Sequence, residues 1–141
     1  MSTMPHSSTE DRSDPRHLRT LFDRANALAD GHGVTSVFVG IAGREGDTLA
    51  RDFIDFVEAE LRVEDHIFRI LRERAVVRLA DISEADATTV IERVRQDFSS
   101  RFPTMEELTI GIAVQAVTPG TLASAKDILP GLFDAAPRGR R

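Results

Sequence analysis

The sequence predicts an α+β fold, an antiparallel sheet of four strands in the chain order β-α-β-β-α-β with flanking helices. Three observations predict it. Two short apolar runs, Ile67 to Leu71 and Ala75 to Leu79, meet at a charged tip of Arg72, Glu73 and Arg74, which is the pattern of a β-hairpin. On either side, apolar residues recur at helical spacing: Leu49, Phe53, Phe56, Val57 and Leu61 before the hairpin, Ala87, Val90, Ile91, Val94 and Phe98 after it. Outside those lie Val34 to Ile41, a near-continuous apolar run suited to a central strand, and Leu108 to Val114, an alternating run suited to a strand with one face in the core. This order is the ferredoxin-like arrangement.

Each element has a local reason. Leu18, Leu21, Phe22, Ala25, Leu28 and Ala29 make His17 to Asp30 an amphipathic helix, stopped by Gly31 and Gly33, whose apolar stripe needs a sheet to lie on. After the first strand, AGREG is a Gly-rich connection into a helix from about Asp47, with Asp52, Asp55, Glu58 and Glu60 on its outer face. The hairpin tip holds no Gly, Asn or Asp, although the common two-residue turns need positive φ. Ser83 is the expected N-cap of the next helix, which closes near Ser99. From Thr121 a last helical stretch is interrupted by Pro130 and Gly131. The domain organisation is read as a disordered lead over 1–16, one domain over 17–136 and a basic tail over 137–141.

Composition excludes several classes of function. A net charge of -5 argues against general nucleic-acid binding, which draws on an excess of cationic side chains. No apolar run approaches the length of a membrane span, and the first residues lack a signal-peptide pattern. The absence of cysteine rules out disulfides and thiolate metal sites and fits a cytoplasmic protein. The four histidines, at 6, 17, 32 and 66, show no ligand spacing, so no metal is expected. Lys126 is the only lysine. The arginine bias has two readings, a GC-rich genome or a choice of planar, forked groups for phosphate or guanine.

Several anchors are similar in register to the GGDEF domain of diguanylate cyclases, over roughly residues 18 to 136. LRTLFDRANAL resembles that family's opening segment at Leu18, Leu21, Arg24 and Leu28; Gly46-Asp47 stands where its G-D begins the second helix. Asp65 to Ile70 resembles the approach to the signature turn, Glu92-Arg93-Val94-Arg95 the E-R-I-R of the following helix, and Thr109 to Ala113 its S-I-G-V-A. The signature itself is degenerate, because Leu71, Arg72, Glu73, Arg74 and Ala75 stand in place of G-G-D/E-E-F. By the resemblance, Gly40 falls at a metal-binding Asp after the first strand, Arg74 at a Glu ligand, and Ala136 at a phosphate-binding Lys, while the connection Ala42 to Glu45 is too short for the guanine-reading segment. Two-metal phosphoryl transfer needs those oxygen ligands. The expectation is a protein without cyclase activity, without a catalytic residue and without a metal.

The same resemblance implies a site that survives. The family's inhibitory site is an Arg-x-x-Asp motif five residues before the signature turn, and Arg62 to Asp65 stands at that spacing, with Arg93 at a second ligand-contacting arginine. Two other Arg-x-x-Asp runs, Arg44 to Asp47 and Arg78 to Asp81, show how easily the motif arises alone. A guanidinium can meet guanine O6 and N7, and a carboxylate can accept from its N1 and N2 donors. Arg62, Asp65 and Arg93 are therefore the expected contacts for cyclic di-GMP. The plainer alternative is that Arg62 and Asp65 pair to close the corner between helix and strand while Arg93 is solvated. The resemblance thus implies a bacterial cyclic di-GMP receptor or signalling adaptor with an unidentified protein partner and a possible ligand-bridged homodimer. The alternative is an interaction scaffold that no longer binds nucleotide.

Overall fold

A computed structural model describes residues 15–102 and 108–119. The elements, in chain order, are α1 (Pro15–His32), β1 (Ser36–Gly43), α2 (Thr48–Glu60), β2 (His66–Leu71), β3 (Arg74–Ala80), α3 (Glu84–Arg101) and β4 (Ile110–Val117). The sheet has the order β2-β3-β1-β4, and every pairing is antiparallel. That is the arrangement the element order predicts. The expected last helix from Thr121, with Pro130, Gly131, Ala136 and the basic tail, lies outside the described residues, as do 1–14 of the expected lead. Pro15 and Arg16 of that lead already belong to α1.

Strand periodicity divides the core in two. Val37, Val39 and Ile41 of β1 and Ala75, Val77 and Leu79 of β3 point to one face, where they are buried with Phe53, Ile54 and Val57 of α2 and Ala87, Ile91, Val94 and Phe98 of α3. Phe38, Phe68, Val76 and Val117 point to the other, where α1 lays down Leu18, Leu21, Phe22, Ala25 and Ala29. Phe22 stacks on Phe38 with ring centroids 4.1 Å apart. The sheet is thus covered on both faces, and β1 is buried throughout. Gly40 lies inside this strand, opposite Val76 and Ala113, rather than after it, because β1 runs on to Gly43.

The N-cap read at Ser83 is present, and Asp47, where the preceding helix was expected to begin, is a second one. The Asp47 side chain accepts hydrogen bonds from the backbone N–H groups of Leu49 and Ala50, and Ser83 Oγ accepts from Asp86 N. Gly33, at φ 67°, ends α1. A Cβ on Gly43 would collide with Ala50 Cβ, so glycine lets α2 start hard against the end of β1.

The hairpin departs from the expected three-residue tip. Its turn is only Arg72 and Glu73, and Arg74 is a strand residue opposite Leu71 on one side and Ala42 on the other. The register shifts between Arg69 and Leu71, leaving Ile70 as the extra residue of a bulge. Neither turn residue takes positive φ; among the described non-glycine residues only Asp81 does, at 54°. The missing turn glycine is explained by the bulge, which adds the twist that a primed turn otherwise supplies.

Candidate functional site

The corner between α2 and β2 is built by Asp65. Helix α2 stops at Glu60, and the chain turns through Arg62 to Asp65, closed by Asp65 N donating to Arg62 O at 3.0 Å. The Asp65 side chain is only 3% exposed, and both of its oxygens are occupied. Oδ2 accepts from Arg62 N at 3.0 Å and Arg62 Nε at 3.1 Å; Oδ1 accepts from Arg62 Nη2 at 3.2 Å and from Ala80 N, across on β3, at 3.0 Å. A buried carboxylate with four donors is fully satisfied.

That carboxylate fixes the plane of the Arg62 guanidinium. Nη2 spends its second proton on Ala80 O at 2.8 Å, and Nη1 meets Glu64 at 3.3 Å in a half-exposed pair of the weak surface kind. The Asp65 hydrogen bond raises the Arg62 pKa above its ordinary value, against a smaller opposing effect of burial. What Arg62 still offers a ligand is its Nη1 edge and its flat faces. A guanidinium held in one plane stacks on an aromatic base without further loss of freedom.

Arg62, Asp65 and Arg93 line one cleft of about 220 Å³ between the end of α2 and the middle turns of α3. Its walls are apolar, from Val57, Leu61, Leu79, Ile82, Val90 and Val94. Pockets that enclose a drug-sized ligand run to about 300–1,000 Å³, so this one admits part of a dinucleotide and leaves the rest outside. The three residues expected from the sequence are brought together. Asp65, however, is turned inward as the holder of Arg62 and not outward as a free acceptor for guanine. The other Arg-x-x-Asp runs form no such fork: Asp47 caps α2, and Arg78 is buried while Asp81 is exposed.

The degenerate signature turn at the far end of β2 has also been turned inward. Glu73, the signature acid that keeps its type, is buried; its Oε2 accepts from Gly46 N at 3.0 Å and its carbonyl from Gly43 N at 2.8 Å. It braces the short connection between β1 and α2. Arg72 is exposed beside it. Among the described residues no group of three or more His, Asp and Glu side chains is placed to hold a metal. Part of the acidic face of α2 is not merely solvated either, since Arg69 donates to Asp55 at 2.8 Å and Glu58 at 2.6 Å.

Sequence reasoning missed one further group. Arg78, His66 and Ser36 meet on the sheet face under α1, with Arg78 Nε 3.3 Å from Ser36 Oγ and Nη1 3.4 Å from His66 Nδ1. An available signal was strand periodicity, which puts Arg78 on the same face as Val76.

No profile of a known protein family matches the chain, and no curated protein matches it. Solved structures do. The GGDEF domain of DgcB from Caulobacter crescentus, in complex with cyclic di-GMP, superposes with a TM-score of 0.64 at 17% identity, over 82% of this chain and 78% of that one. PelD from Pseudomonas aeruginosa PAO1 superposes with a TM-score of 0.58 at 20% identity, over 78% of this chain and 40% of that one. PelD in complex with cyclic di-GMP gives 0.60 at 18%, over 82% and 43%. The likeness establishes a GGDEF-like fold.

Proposed function

We propose that this chain is a GGDEF-like domain that binds cyclic di-GMP without making it, and passes the signal to a protein partner in the cytoplasm. The observation that carries the reading is the convergence of Arg62 and Arg93, distant in sequence, on one apolar cleft. Arg62, held by Asp65, stacks on a guanine or donates to its acceptor edge from Nη1, and Arg93, exposed on α3, takes a phosphate or the second base. The dinucleotide extends beyond the cleft, so a ligand shared between two copies of the domain is the corollary. That solved structures of similar fold contain cyclic di-GMP supports the choice of ligand. Loss of catalysis is supported by the tip: a cation at Arg72, another at Arg74, and the Glu73 carboxylate buried against Gly46 N.

The test is calorimetric titration of cyclic di-GMP into the wild type, Arg62→Ala and Arg93→Ala, with GTP as control. Saturable binding of about micromolar affinity, roughly -8 kcal/mol, that either substitution weakens is the expected result. A second reading, a scaffold that binds no nucleotide, is favoured by the closure of the Arg62–Asp65 pair, which serves the fold by itself. No heat and no thermal stabilisation with either nucleotide would select it.

A further inference from the structure

Among the described residues, Arg78 is a buried cation without a paired counter-ion. It is 3% exposed, and its partners are a serine hydroxyl and an imidazole nitrogen at the long end of hydrogen bonding. Among the described residues no carboxylate pairs with it; the charge of Asp65 acts on it, but both oxygens of that group are committed to Arg62 and Ala80. A buried charge in this condition is costly unless something answers it.

The surrounding groups show what could. Ser36 Oγ accepts from Arg78, so its own proton is available; His66 Nδ1 accepts from Arg78, so the neutral ring carries its proton on Nε2. Arg78 keeps unused N–H groups on its guanidinium. Arg24, exposed on α1, and His17, half-buried on the same helix, lie close enough that their charges act on His66. The unspent protons of the cluster, on Ser36 Oγ, His66 Nε2 and the Arg78 guanidinium, are donors, and His66 is half-buried. We propose that Arg78, His66, Ser36 and Arg24 form an oxyanion site, taking a phosphate-type group between α1 and the sheet, separate from the Arg62 cleft.

His66 is the reporter. Burial first, then the cations Arg78, Arg24 and His17, hold its pKa below 6.5, opposed by Asp65. A bound dianion reverses the balance of charge and raises it, so binding takes up a proton and tightens as pH falls. Sulfate is the better probe than inorganic phosphate, because its own charge is constant over this range, and chloride at equal ionic strength is the control. The full chain is titrated while the His66 imidazole is followed by NMR. Expected are a saturable shift with sulfate and not with chloride, a His66 pKa that rises on saturation, and loss of both in Arg78→Met. That variant should also melt higher than wild type without anion, since an apolar side chain replaces an unpaired charge. Arg24→Ala, on the surface, should weaken sulfate several-fold and Arg62→Ala not at all. A wild-type His66 that responds to sulfate no more than to chloride overturns the site. So does an undiminished response in Arg24→Ala, or in a folded Arg78→Met.

Discussion

Strand β2 is entered and left through corners that use a buried carboxylate in different ways. At its head Asp65 receives two backbone N–H groups and also clamps a guanidinium, whose free edge it presents to a cleft. At its tail Glu73 answers only the backbone of the β1–α2 connection, and the neighbouring Arg72 points its charge into solvent. Both acids hold the fold together, but only the first displays a binding group while doing so. The Glu73 bonds stay within the connection that they brace. At the head, the bonds that brace the corner are also the ones that set the Arg62 guanidinium at the cleft.

The comparison is sharpest in a pair of substitutions at the head. Asp65→Ala strands Ala80 N–H in the interior and frees Arg62, and should cost about 3 kcal/mol in urea unfolding. Arg62→Ala removes the guanidinium but leaves Asp65 its two backbone donors, and should cost less, about 2 kcal/mol, leaving a folded protein in which ligand binding can be read. Equal costs would mean that the corner is an ordinary ion pair with no hub. At the tail, Glu73→Ala should cost about 1 kcal/mol, the net value of one hydrogen bond, and Glu73→Gln, which keeps the acceptor for Gly46 N, much less. A Gln variant as unstable as the Ala variant would show that the charge and not the hydrogen bond matters.

The smallest effect lies between the corners, at His66. Its folded pKa is lowered below 6.5, so as pH falls the unfolded chain takes up the proton first. Its contribution is therefore complete above about pH 6.5 and is lost as pH falls through that value toward the folded pKa. In buffer free of sulfate and phosphate, the urea midpoint of the wild type should decline over that window and that of His66→Gln should be flatter; parallel curves would contradict the shift.

Strand faces and helix starts were legible in the sequence because each rests on short spacing, whereas the grouping of Arg62, Asp65 and Arg93 came from the resemblance to GGDEF domains and not from spacing. Asp47 and Ser83 cap within three residues, and the period of β1 and β3 sorts their side chains between two faces. What escaped depends on contacts across long separations. The bulge at Ile70, which shortens the tip to two residues, is a matter of register and not of composition. The inward turn of Glu73 depends on Gly46, on the connection before α2. Asp65, which the resemblance gave as a ligand for guanine, is taken up instead by Arg62 and by Ala80 N, supplied from the far end of the hairpin. Arg78 and Ser36 become neighbours only once β1 and β3 pair.

The most direct measurement is the map of backbone amide shifts on adding cyclic di-GMP to the labelled full chain. The account predicts perturbations centred on Leu61 to Glu64 and on Val90 to Val94, the two walls of the cleft, with Gly43 to Asp47 and Arg72 to Arg74 unaffected. Shifts confined to the hairpin tip, or none at all at saturating ligand, would contradict it.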